Sequence, residues 1–339
     1  MWKATRVRPP LNVRAWTVVA VCALVVALAP LPPAQARELK GRGWVSWIRG
    51  NPADAHPETG GGIFLEGGRT DRRGGWRWFL DQAGYGDIVI LERRGDHVYN
   101  FFVRQLARVD SVQTFRITKR VAASDPYVVR RVARADGLFL AGGDQSEYVR
   151  LWNATPLSDA IEGAIERGAA VGGISAGLAV LGQFAFSAEK GTIDSDTALK
   201  NPYSGKVTLR RDFLTVPLLS GAITDSHLAA RNRQGRLVTF LARIVADGWA
   251  ATPRGIGIDE NTAVLVDRDG TASVIGRGEA WLFAVPGAPD VCQPKTPLTY
   301  RDLTVWRAER GETFDIATWA GDLGSSQTVS AVDGQLVWS

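Results

Sequence analysis

A serine between glycines is the strongest chemical signal in this sequence. Gly173, Ser175 and Gly177 form the pattern G-x-S-x-G, and an apolar run precedes them. Such a pattern exposes a serine hydroxyl at a sharp turn from strand to helix, where backbone N–H groups can bind an oxyanion. The pattern predicts Ser175 as a nucleophile, and a helix-capping serine is the alternative. We expect the backbone N–H groups of Gly143 and Ala176 to be the oxyanion donors.

A serine nucleophile needs a base, and histidine most often serves. The chain has three histidines, His56, His97 and His227. His56 lies beside a proline and His97 precedes a predicted helix, so we expect surface or capping roles for both. His227 follows the apolar run 221–224, which predicts a place at the same sheet edge as Ser175. His227 is therefore the predicted base, with a helix-start residue as the alternative.

Three carboxylates are candidates for the acid that orients His227. Asp225 is only two residues away, so both side chains leave one turn and a shared triad geometry is awkward. Asp259 and Glu260 follow the apolar run 255–258, and alternation along a strand points one of the two toward the site. The residues alone leave that choice open. The order Ser, His, acid differs from the Ser, acid, His order of α/β-hydrolases, which argues against a lipase or esterase.

These residues follow short apolar runs that alternate with helix-period segments. Strands are predicted at 62–65, 87–91, 111–117, 137–141, 170–174, 221–224 and 255–258. Helices are predicted near 98–109, 125–135, 156–168, 176–185 and 228–247. This alternation predicts an α/β fold with a mainly parallel sheet sandwiched by helices, whose strand ends form the site. The polar segment 187–216 is predicted to edge a substrate cleft.

The chain ends are predicted to differ from this central region. Residues 37–59 are expected to form an irregular lead-in, and residues 60–290 the catalytic domain. After Asn261 the pattern changes to short β-like runs around an Asp269-Gly270 turn signal. These runs predict antiparallel strands at the sheet edge or a small β appendage. Residues 291–339 are expected to form a β-rich C-terminal extension.

Residues 1–36 have the features of a secretory leader. They contain four basic residues and no acidic residue, an apolar run at 15–29 and the small-residue site Ala34-Gln35-Ala36. The run is shorter than the ~20 residues of a spanning helix, so a permanent membrane anchor is only the alternative. Cleavage before Arg37 leaves 36 basic and 35 acidic residues, a formal net charge of +1. We therefore expect a secreted or periplasmic protein that binds neither nucleic acid nor membrane.

The two cysteines separate when the leader is removed. Cys22 leaves with it and Cys292 remains alone, so no disulfide can form within the mature chain. A lone cysteine is also a poor metal ligand, and Cys292 is predicted to be a small buried residue. We expect no metal or organic cofactor.

Four motifs in this order resemble the cyanophycinase and aspartyl dipeptidase family of serine peptidases. The fold of that family is similar to that of class I glutamine amidotransferases. The motifs are AGGDQ at 141–145, GGISAG at 172–177, TDSH at 224–227 with the arginines and glycine that follow it, and GIGIDE at 255–260. The leader and the C-terminal extension are similar to those of secreted members.

The resemblance implies a role for each site residue. Ser175 would be the nucleophile, His227 the base and Glu260 the orienting acid. Gln145 would line the pocket beside the nucleophile. Substrate carboxylates would be bound by three arginines, Arg231, Arg233 and Arg236. Guanidinium groups suit that role, and a solvated basic helix face is the alternative.

The resemblance also implies a substrate class. Cyanophycinases cut cyanophycin, a poly-aspartate with arginine on each β-carboxyl, into β-aspartyl-arginine dipeptides, and cyanophycin or a related aspartyl peptide is the substrate that the resemblance implies. Ile174 and Ser226 stand where the family usually has Thr and Gln, which changes the hydrogen bonding of the pocket.

Other functions compete with this prediction. The alternatives are a dipeptidase for other aspartyl or isoaspartyl peptides and a catalytically silent binding protein of the same fold. Glutamine amidotransferase chemistry would need a cysteine where Ser175 stands. Besides the peptide or polymer substrate, a second copy of the chain is a candidate partner, giving a homodimer.

Overall fold

Two β-sheets organise the computed structural model, which describes Trp2 and residues 36–69, 73–95 and 98–339. The strands are β1 (Arg37–Gly41), β2 (Trp44–Gly50), β3 (Ile63–Glu66), β4 (Asp87–Glu92), β5 (Ser111–Ile117), β6 (Gly137–Leu140), β7 (Ala170–Ile174), β8 (Phe184–Phe186), β9 (Leu209–Arg211), β10 (Ala222–Ser226), β11 (Arg254–Ile258), β12 (Thr262–Val266), β13 (Thr271–Gly276), β14 (Ala280–Ala284), β15 (Tyr300–Ala308), β16 (Thr313–Asp315), β17 (Gly321–Asp322), β18 (Gln327–Val332) and β19 (Gln335–Trp338). The helices are α1 (Arg73–Gln82), α2 (Val98–Leu106), α3 (Pro126–Ala133), α4 (Gln145–Trp152), α5 (Pro156–Arg167), α6 (Ser195–Lys200) and α7 (Gln234–Ala246).

The first sheet has the order β1-β2-β5-β4-β6-β7-β3-β12-β13-β16-β17. Its central strands, from β5 to β3, are parallel. They are short apolar runs because helices cover both of their faces. One face packs Phe64, Ile90 and Phe139 against α1 and α2, and the other packs Val89 and Leu138 against α3 and α5. The predicted α/β fold class is confirmed by this arrangement.

The second sheet has the order β19-β18-β15-β14-β11-β10-β8-β9. Strands β8, β10 and β11 are parallel, and the other neighbours pair antiparallel. Helix α7 packs Leu237 and Phe240 into the same core as Ile223 and Phe283. The prediction of one mainly parallel sheet was therefore wrong for the runs at 221–224 and 255–258. Periodicity identifies a buried strand but not its neighbours, which explains the error.

One of the predicted helices is absent, and the other predicted elements are present. The predicted strands are confirmed by β3 to β7, β10 and β11, and four of the predicted helices by α2, α3, α5 and α7, although α7 begins at Gln234 rather than at 228 because residues 228–232 form turns. The sequence pattern did not predict α1, α4 or α6. The segment 176–185, predicted as a helix, forms only a 3₁₀ turn at Leu178–Val180 and then β8. Thr224 Oγ1 donates to the carbonyl oxygen of Leu178 over 2.8 Å, and β8 pairs with β10. Contacts with the second sheet thus replace the helix.

Residues 37–50 form β1 and β2, which corrects the prediction of an irregular segment at 37–59 for that part, whereas residues 51–59 contain no strand or helix. Strand β2 pairs antiparallel with β5 along its whole length. Trp44 packs against Phe115 and Tyr127, with ring centroids 5.7 and 5.5 Å apart. The aromatic side chains of β2 are buried because β2 pairs with β5, which lies more than 60 residues further along the chain. The local composition of the lead-in therefore does not reveal β2.

The region after Asn261 extends both sheets. Strands β12 and β13 form an antiparallel hairpin at the edge of the first sheet, as predicted, with Gly270 in its turn. Strands β14, β15, β18 and β19 continue the second sheet, and β16 and β17 end the first. The described residues from 36 onward form one compact unit. The domain boundary at 290 stays a prediction.

The predicted leader, with Cys22, lies outside the described residues except for Trp2 and Ala36. Cys292 is a free thiol that is partly buried, and burial raises its pKa to about 11. Among the residues that the structure describes, no helix combines the length and the apolar character needed to cross a bilayer.

Candidate active site

Ser175 lies at a sharp turn directly after β7. Its backbone has a φ of 55°, in the left-handed region that few residues other than glycine adopt. The turn is held by two backbone hydrogen bonds, from Ser175 N–H to the carbonyl oxygen of Glu66 over 3.0 Å and from Gly177 N–H to that of Ile174 over 2.9 Å. A Cβ at Gly177 would collide with the carbonyl oxygen of Leu140. The glycine therefore lets the chain turn close to β6 and present the serine.

His227 lies at the end of β10, in the second sheet. Its Nε2 is 2.7 Å from Ser175 Oγ. The histidine also has a left-handed φ, 52°, and its backbone N–H donates to the carbonyl oxygen of Gly67 over 3.0 Å. The predicted proximity to Ser175 is present, but it arises where the ends of two sheets meet rather than along one edge.

Glu260 follows β11 and completes a chain of hydrogen bonds. Its Oε1 is 2.8 Å from His227 Nδ1. Asp259 points elsewhere, because its two carboxylate oxygens accept the backbone N–H groups of Ala229 and Glu279 over 2.9 and 3.2 Å. The structure therefore makes Glu260 the residue in contact with His227 and gives Asp259 a role in holding the adjoining loops.

Asp225 is buried and paired with arginine, away from the imidazole. Arg236 Nε and Nη2 donate to its two oxygens over 2.7 and 2.5 Å. Burial opposes ionisation, but this pairing holds the pKa of Asp225 below its ordinary value. The side chain of Arg236 is only 1% exposed, and its Nη1 donates to Thr192 Oγ1 and to the carbonyl oxygen of Ile193. The expectation that Arg236 binds substrate is therefore wrong, because its guanidinium is occupied inside the protein.

Two cavities share Arg231, and Ser175 lines one of them. The nucleophile cavity has a volume of 410 Å³ and includes Ser175 and His227 in its walls. The side cavity has a volume of 430 Å³ and includes Gln145 and Arg233. Part of the predicted cleft-edging segment lines the side cavity, with Ala188, Gly191, Thr192, Ile193 and Asp194.

The other predicted pocket residues occupy different surroundings. The side chain of Arg231 is exposed. Arg233 Nη1 donates to the carbonyl oxygen of Ser226 over 2.7 Å, and Gln145 Nε2 to that of Phe186 over 3.3 Å. Arg231 is thus open to a ligand, whereas Arg233 and Gln145 are held by contacts with the protein.

Two backbone N–H groups lie near the serine without an acceptor among the described residues. Those of Ala176 and Gly143 make no hydrogen bond there. Ala176 directly follows Ser175, and a Cβ at Gly142 would lie 3.6 Å from Ser175 Cβ, so the Gly142–Gly143 loop adjoins the nucleophile. This arrangement suits the binding of an oxyanion.

The electrostatics favour a neutral imidazole beside an ionised carboxylate. Burial lowers the pKa of His227 below its ordinary value, the hydrogen bond to Glu260 opposes this, and Arg231 and Arg233 lower it further. Hydrogen bonds from His227 and Arg69 hold the pKa of Glu260 below its ordinary value. His227 is therefore able to accept a proton near neutral pH.

Arg69 is a residue that the sequence analysis missed. Its Nη1 lies 3.2 Å from Glu260 Oε2. It follows Gly67 and Gly68 at the end of β3, and a glycine pair directly after a buried strand was the available signal. His56 is exposed, with Asp54 3.7 Å away, and His97 lies outside the described residues. In the described ranges, no group of three or more His, Cys, Asp or Glu side chains is arranged to hold a metal ion.

Comparison with known proteins identifies relatives of this chain. The family described as "Peptidase family S51" matches residues 96–274, more than half of the chain. The cyanophycinase of Synechococcus elongatus is 30% identical over 211 residues, which cover 59% of this chain and 60% of that protein. The cyanophycinase of Nostoc sp. (strain PCC 7120 / SAG 25.82 / UTEX 2576) is 27% identical over 213 residues, which cover 61% and 66%. The matched region thus spans about 60% of the length of the first of these relatives.

A solved structure shares the fold. The crystal structure of a peptidase from an acI-B1 Actinobacterium superposes with a TM-score of 0.50 at 16% sequence identity. It covers 76% of this chain and 98% of that chain.

Proposed function

The chain belongs to peptidase family S51, and from this premise we propose that it is a serine peptidase that hydrolyses cyanophycin. The observation that carries the proposal is the hydrogen-bonded series from Ser175 Oγ to His227 Nε2 and from His227 Nδ1 to Glu260 Oε1, at 2.7 and 2.8 Å. A hydroxyl, an imidazole and a carboxylate in this order are the parts of a serine-hydrolase triad.

The first half of the reaction forms an acyl-enzyme. Ser175 Oγ attacks the carbonyl carbon of the scissile amide while His227 Nε2 takes the hydroxyl proton. Glu260 keeps the imidazole oriented and stabilises its positive charge. The N–H groups of Ala176 and Gly143 receive the oxyanion of the tetrahedral intermediate. The intermediate collapses when His227 gives its proton to the leaving amine, and the C–N bond breaks.

The second half releases the acyl product. Water attacks the ester carbonyl as His227 takes one of its protons, and the same N–H groups receive the new oxyanion. The proton then passes from His227 to Ser175 Oγ as the C–O bond to the enzyme breaks. The amide and one water are converted into a carboxylic acid and an amine, and the enzyme is restored.

The substrate proposal rests on the relatives and on the charge of the cavities. The matched relatives are named cyanophycinases. Arg231 lines both cavities and is exposed, which places a guanidinium within reach of a substrate carboxylate near the nucleophile. Cyanophycin offers an aspartyl backbone with an arginyl branch on each residue. The expected soluble products are β-aspartyl-arginine dipeptides.

The test is the replacement Ser175→Ala assayed on insoluble cyanophycin. The parent protein should clear the suspension and release dipeptides that mass spectrometry identifies, and the variant should lose clearing by at least ~10⁴-fold with its fold retained. The matched control is Ser273→Ala, a serine in β13, which should clear like the parent. Clearing by Ser175→Ala at the parent rate would reject the nucleophile. Release of other aspartyl peptides, with cyanophycin untouched, would reject the substrate.

We also propose that the protein is exported and that residues 1–36 are removed. The composition of that segment supports the proposal. The N-terminal sequence of protein recovered from outside the cytoplasm should begin at Arg37. Recovery of full-length chain in the membrane fraction would instead identify an anchor.

A further inference from the structure

The turn after β3 contacts both partners of the nucleophile. Gly67 N–H donates to the carbonyl oxygen of Thr262, and the carbonyl oxygen of Gly67 accepts the N–H of His227, each over 3.0 Å. The carbonyl oxygen of Gly68 accepts the N–H of Asn261 over 3.0 Å. Thr262 begins β12, so the first of these bonds stays within the first sheet. Asn261 directly follows Glu260, so the other two bonds join the turn to the residues that carry the base and the acid.

Gly68 leaves the space in which the imidazole lies. Its φ is 118°, a conformation that side chains rarely adopt. A Cβ at this position would lie 2.6 Å from His227 Nε2 and closer still to Cε1. The ring of His227 therefore rests against the bare backbone of Gly68. Any side chain there would displace the nitrogen that faces Ser175.

Arg69 holds the far oxygen of the acid. The two oxygens of Glu260 have separate partners, since Oε1 is 2.8 Å from His227 Nδ1 and Oε2 is 3.2 Å from Arg69 Nη1. The arginine side chain is 69% exposed and the carboxylate 20%. Arg69 also has a left-handed φ, 79°. Such a conformation in a residue other than glycine persists where the surroundings determine it, as they do in this turn.

We propose that the turn Gly67-Gly68-Arg69 is a positioning element of the triad, in which Gly68 sets the place of the His227 imidazole and Arg69 fixes the carboxylate of Glu260. None of the three residues takes part in a bond that forms or breaks. The inference rests on the proposed function for its catalytic meaning. The geometry that it describes can be measured without turnover.

The first test measures the imidazole directly by NMR. The chain has only three histidines, so the titration of each ring can be followed, and loss of a signal in His227→Gln assigns His227. The charged groups around this imidazole come from several elements. Arg69, Glu92, Arg94 and Arg231 line the same cavity, and Glu260, Arg231 and Arg233 act on its pKa. In Arg69→Ala the lost cation leaves Glu260 freer to stabilise the imidazolium, so the pKa of His227 should rise. Arg69→Lys should keep it near the parent value.

The matched control is Arg301→Ala. Arg301 is a half-exposed arginine that pairs with Asp290 over 2.9 Å in another part of the molecule. Its removal should leave the His227 titration unchanged. An unchanged titration in Arg69→Ala as well would overturn the role of Arg69, whether or not the protein hydrolyses cyanophycin. In the active enzyme, we expect Arg69→Ala to lower kcat/KM by about fivefold and to move its acidic limb to higher pH, because exposed ion pairs are weak.

The second test compares two glycines. Gly287 has a φ of 140°, and a Cβ there would meet nothing within 4 Å, so Gly287→Ala introduces backbone strain without a collision. Gly68→Ala introduces similar strain and also displaces His227. Both variants should lose stability from the strain, and Gly68→Ala should lose at least as much as Gly287→Ala because of the added collision. Only Gly68→Ala should shift the His227 signals and lower the rate of fluorophosphonate labelling at Ser175, by at least ~100-fold.

The outcomes separate the inference from the proposed function. If Gly68→Ala keeps the parent His227 spectrum and the parent labelling rate, the role of Gly68 is rejected. If the variants show the expected NMR responses but the parent protein does not hydrolyse cyanophycin, the role of the turn is supported and the proposed function fails.

Discussion

Two carboxylates associated with neighbouring parallel strands of the second sheet have opposite surroundings. Asp225 lies in β10, buried, with both oxygens bonded by Arg236. Glu260 directly follows β11 and is 20% exposed, and one of its oxygens meets His227 while the other meets Arg69. Each has an arginine partner, yet only Glu260 keeps an oxygen for the imidazole. The position of a carboxylate on its strand therefore does not by itself decide its role. A carboxylate can orient the imidazole only if one of its two oxygens is not already bonded to an arginine.

The largest expected effect is on catalysis at Glu260. Glu260→Gln keeps the size of the side chain but removes the charge that holds and stabilises the imidazolium. We expect kcat to fall by about 10⁴-fold, as for the loss of a triad carboxylate. The free energy of unfolding should change little, because the side chain is partly exposed. Cyanophycin turnover and urea unfolding of the same preparation measure the two quantities. A loss of stability without a loss of rate would show that Glu260 has a structural role and not a catalytic one.

The next effect is on stability at Asp225. Asp225→Ala leaves Arg236 buried without its counter-charge, so we expect the free energy of unfolding to fall by about 3–5 kcal/mol. The control is Asp290→Ala, which breaks the exposed pair with Arg301 and should cost at most ~1 kcal/mol. Equal losses in the two variants, measured by denaturant unfolding, would contradict the structural role assigned to Asp225.

A smaller effect is expected at the arginine that remains open. Arg231→Ala removes an exposed guanidinium from the walls of both cavities, and we expect KM to rise about tenfold with kcat nearly unchanged, since a charged hydrogen bond to the substrate is lost from ground and transition states alike. Steady-state kinetics on soluble cyanophycin fragments measures this. An unchanged KM would show that Arg231 is a solvated surface residue with no part in substrate binding.

The smallest effect is a displacement of the pH profile. His227 must be neutral to accept the proton of Ser175, and its pKa is lowered by burial, so protonation abolishes activity only below the ordinary histidine range. The acidic limb of kcat/KM should therefore lie below pH ~6.5. An acidic limb above this pH would show that Glu260 raises the pKa of His227 by more than burial, Arg231 and Arg233 lower it.

The sequence predicted the parts of the site that depend on local chain geometry. Ser175 could be identified because a G-x-S-x-G turn after a buried strand is a local structure. The choice between Asp259 and Glu260 could not be made from alternation, because it depends on N–H groups of Ala229 and Glu279 that hold Asp259 from other segments. The burial of Arg236 also depends on distant contacts, with Asp225 and Ile193. A row of arginines near a helix start therefore looked uniform, although its members have different surroundings.

In the fold, too, the features set by the local sequence were predicted and those set by distant contacts were not. The parallel strands of the first sheet were predicted because continuous apolar runs suffice to identify them. Strands β1 and β2 were missed because their burial depends on pairing with β5. The segment after Ser175 was predicted as a helix because its apolar composition suits either structure, and the pairing of β8 with β10 decides between them.

The contacts of Arg236 with residues 192 and 193 have a consequence for how selectivity could diverge in such a protein. The guanidinium ties one wall of the side cavity to β10 through a backbone carbonyl, so the tie does not depend on the side chains at Ala188, Gly191 or Asp194. These three positions have constraints of their own, because Ala188 is buried, Gly191 has a left-handed φ of 86° and Asp194 accepts the N–H of Thr197 at the start of α6. A change of substrate preference at this wall would therefore have to preserve both the tie to β10 and the local structure of the segment.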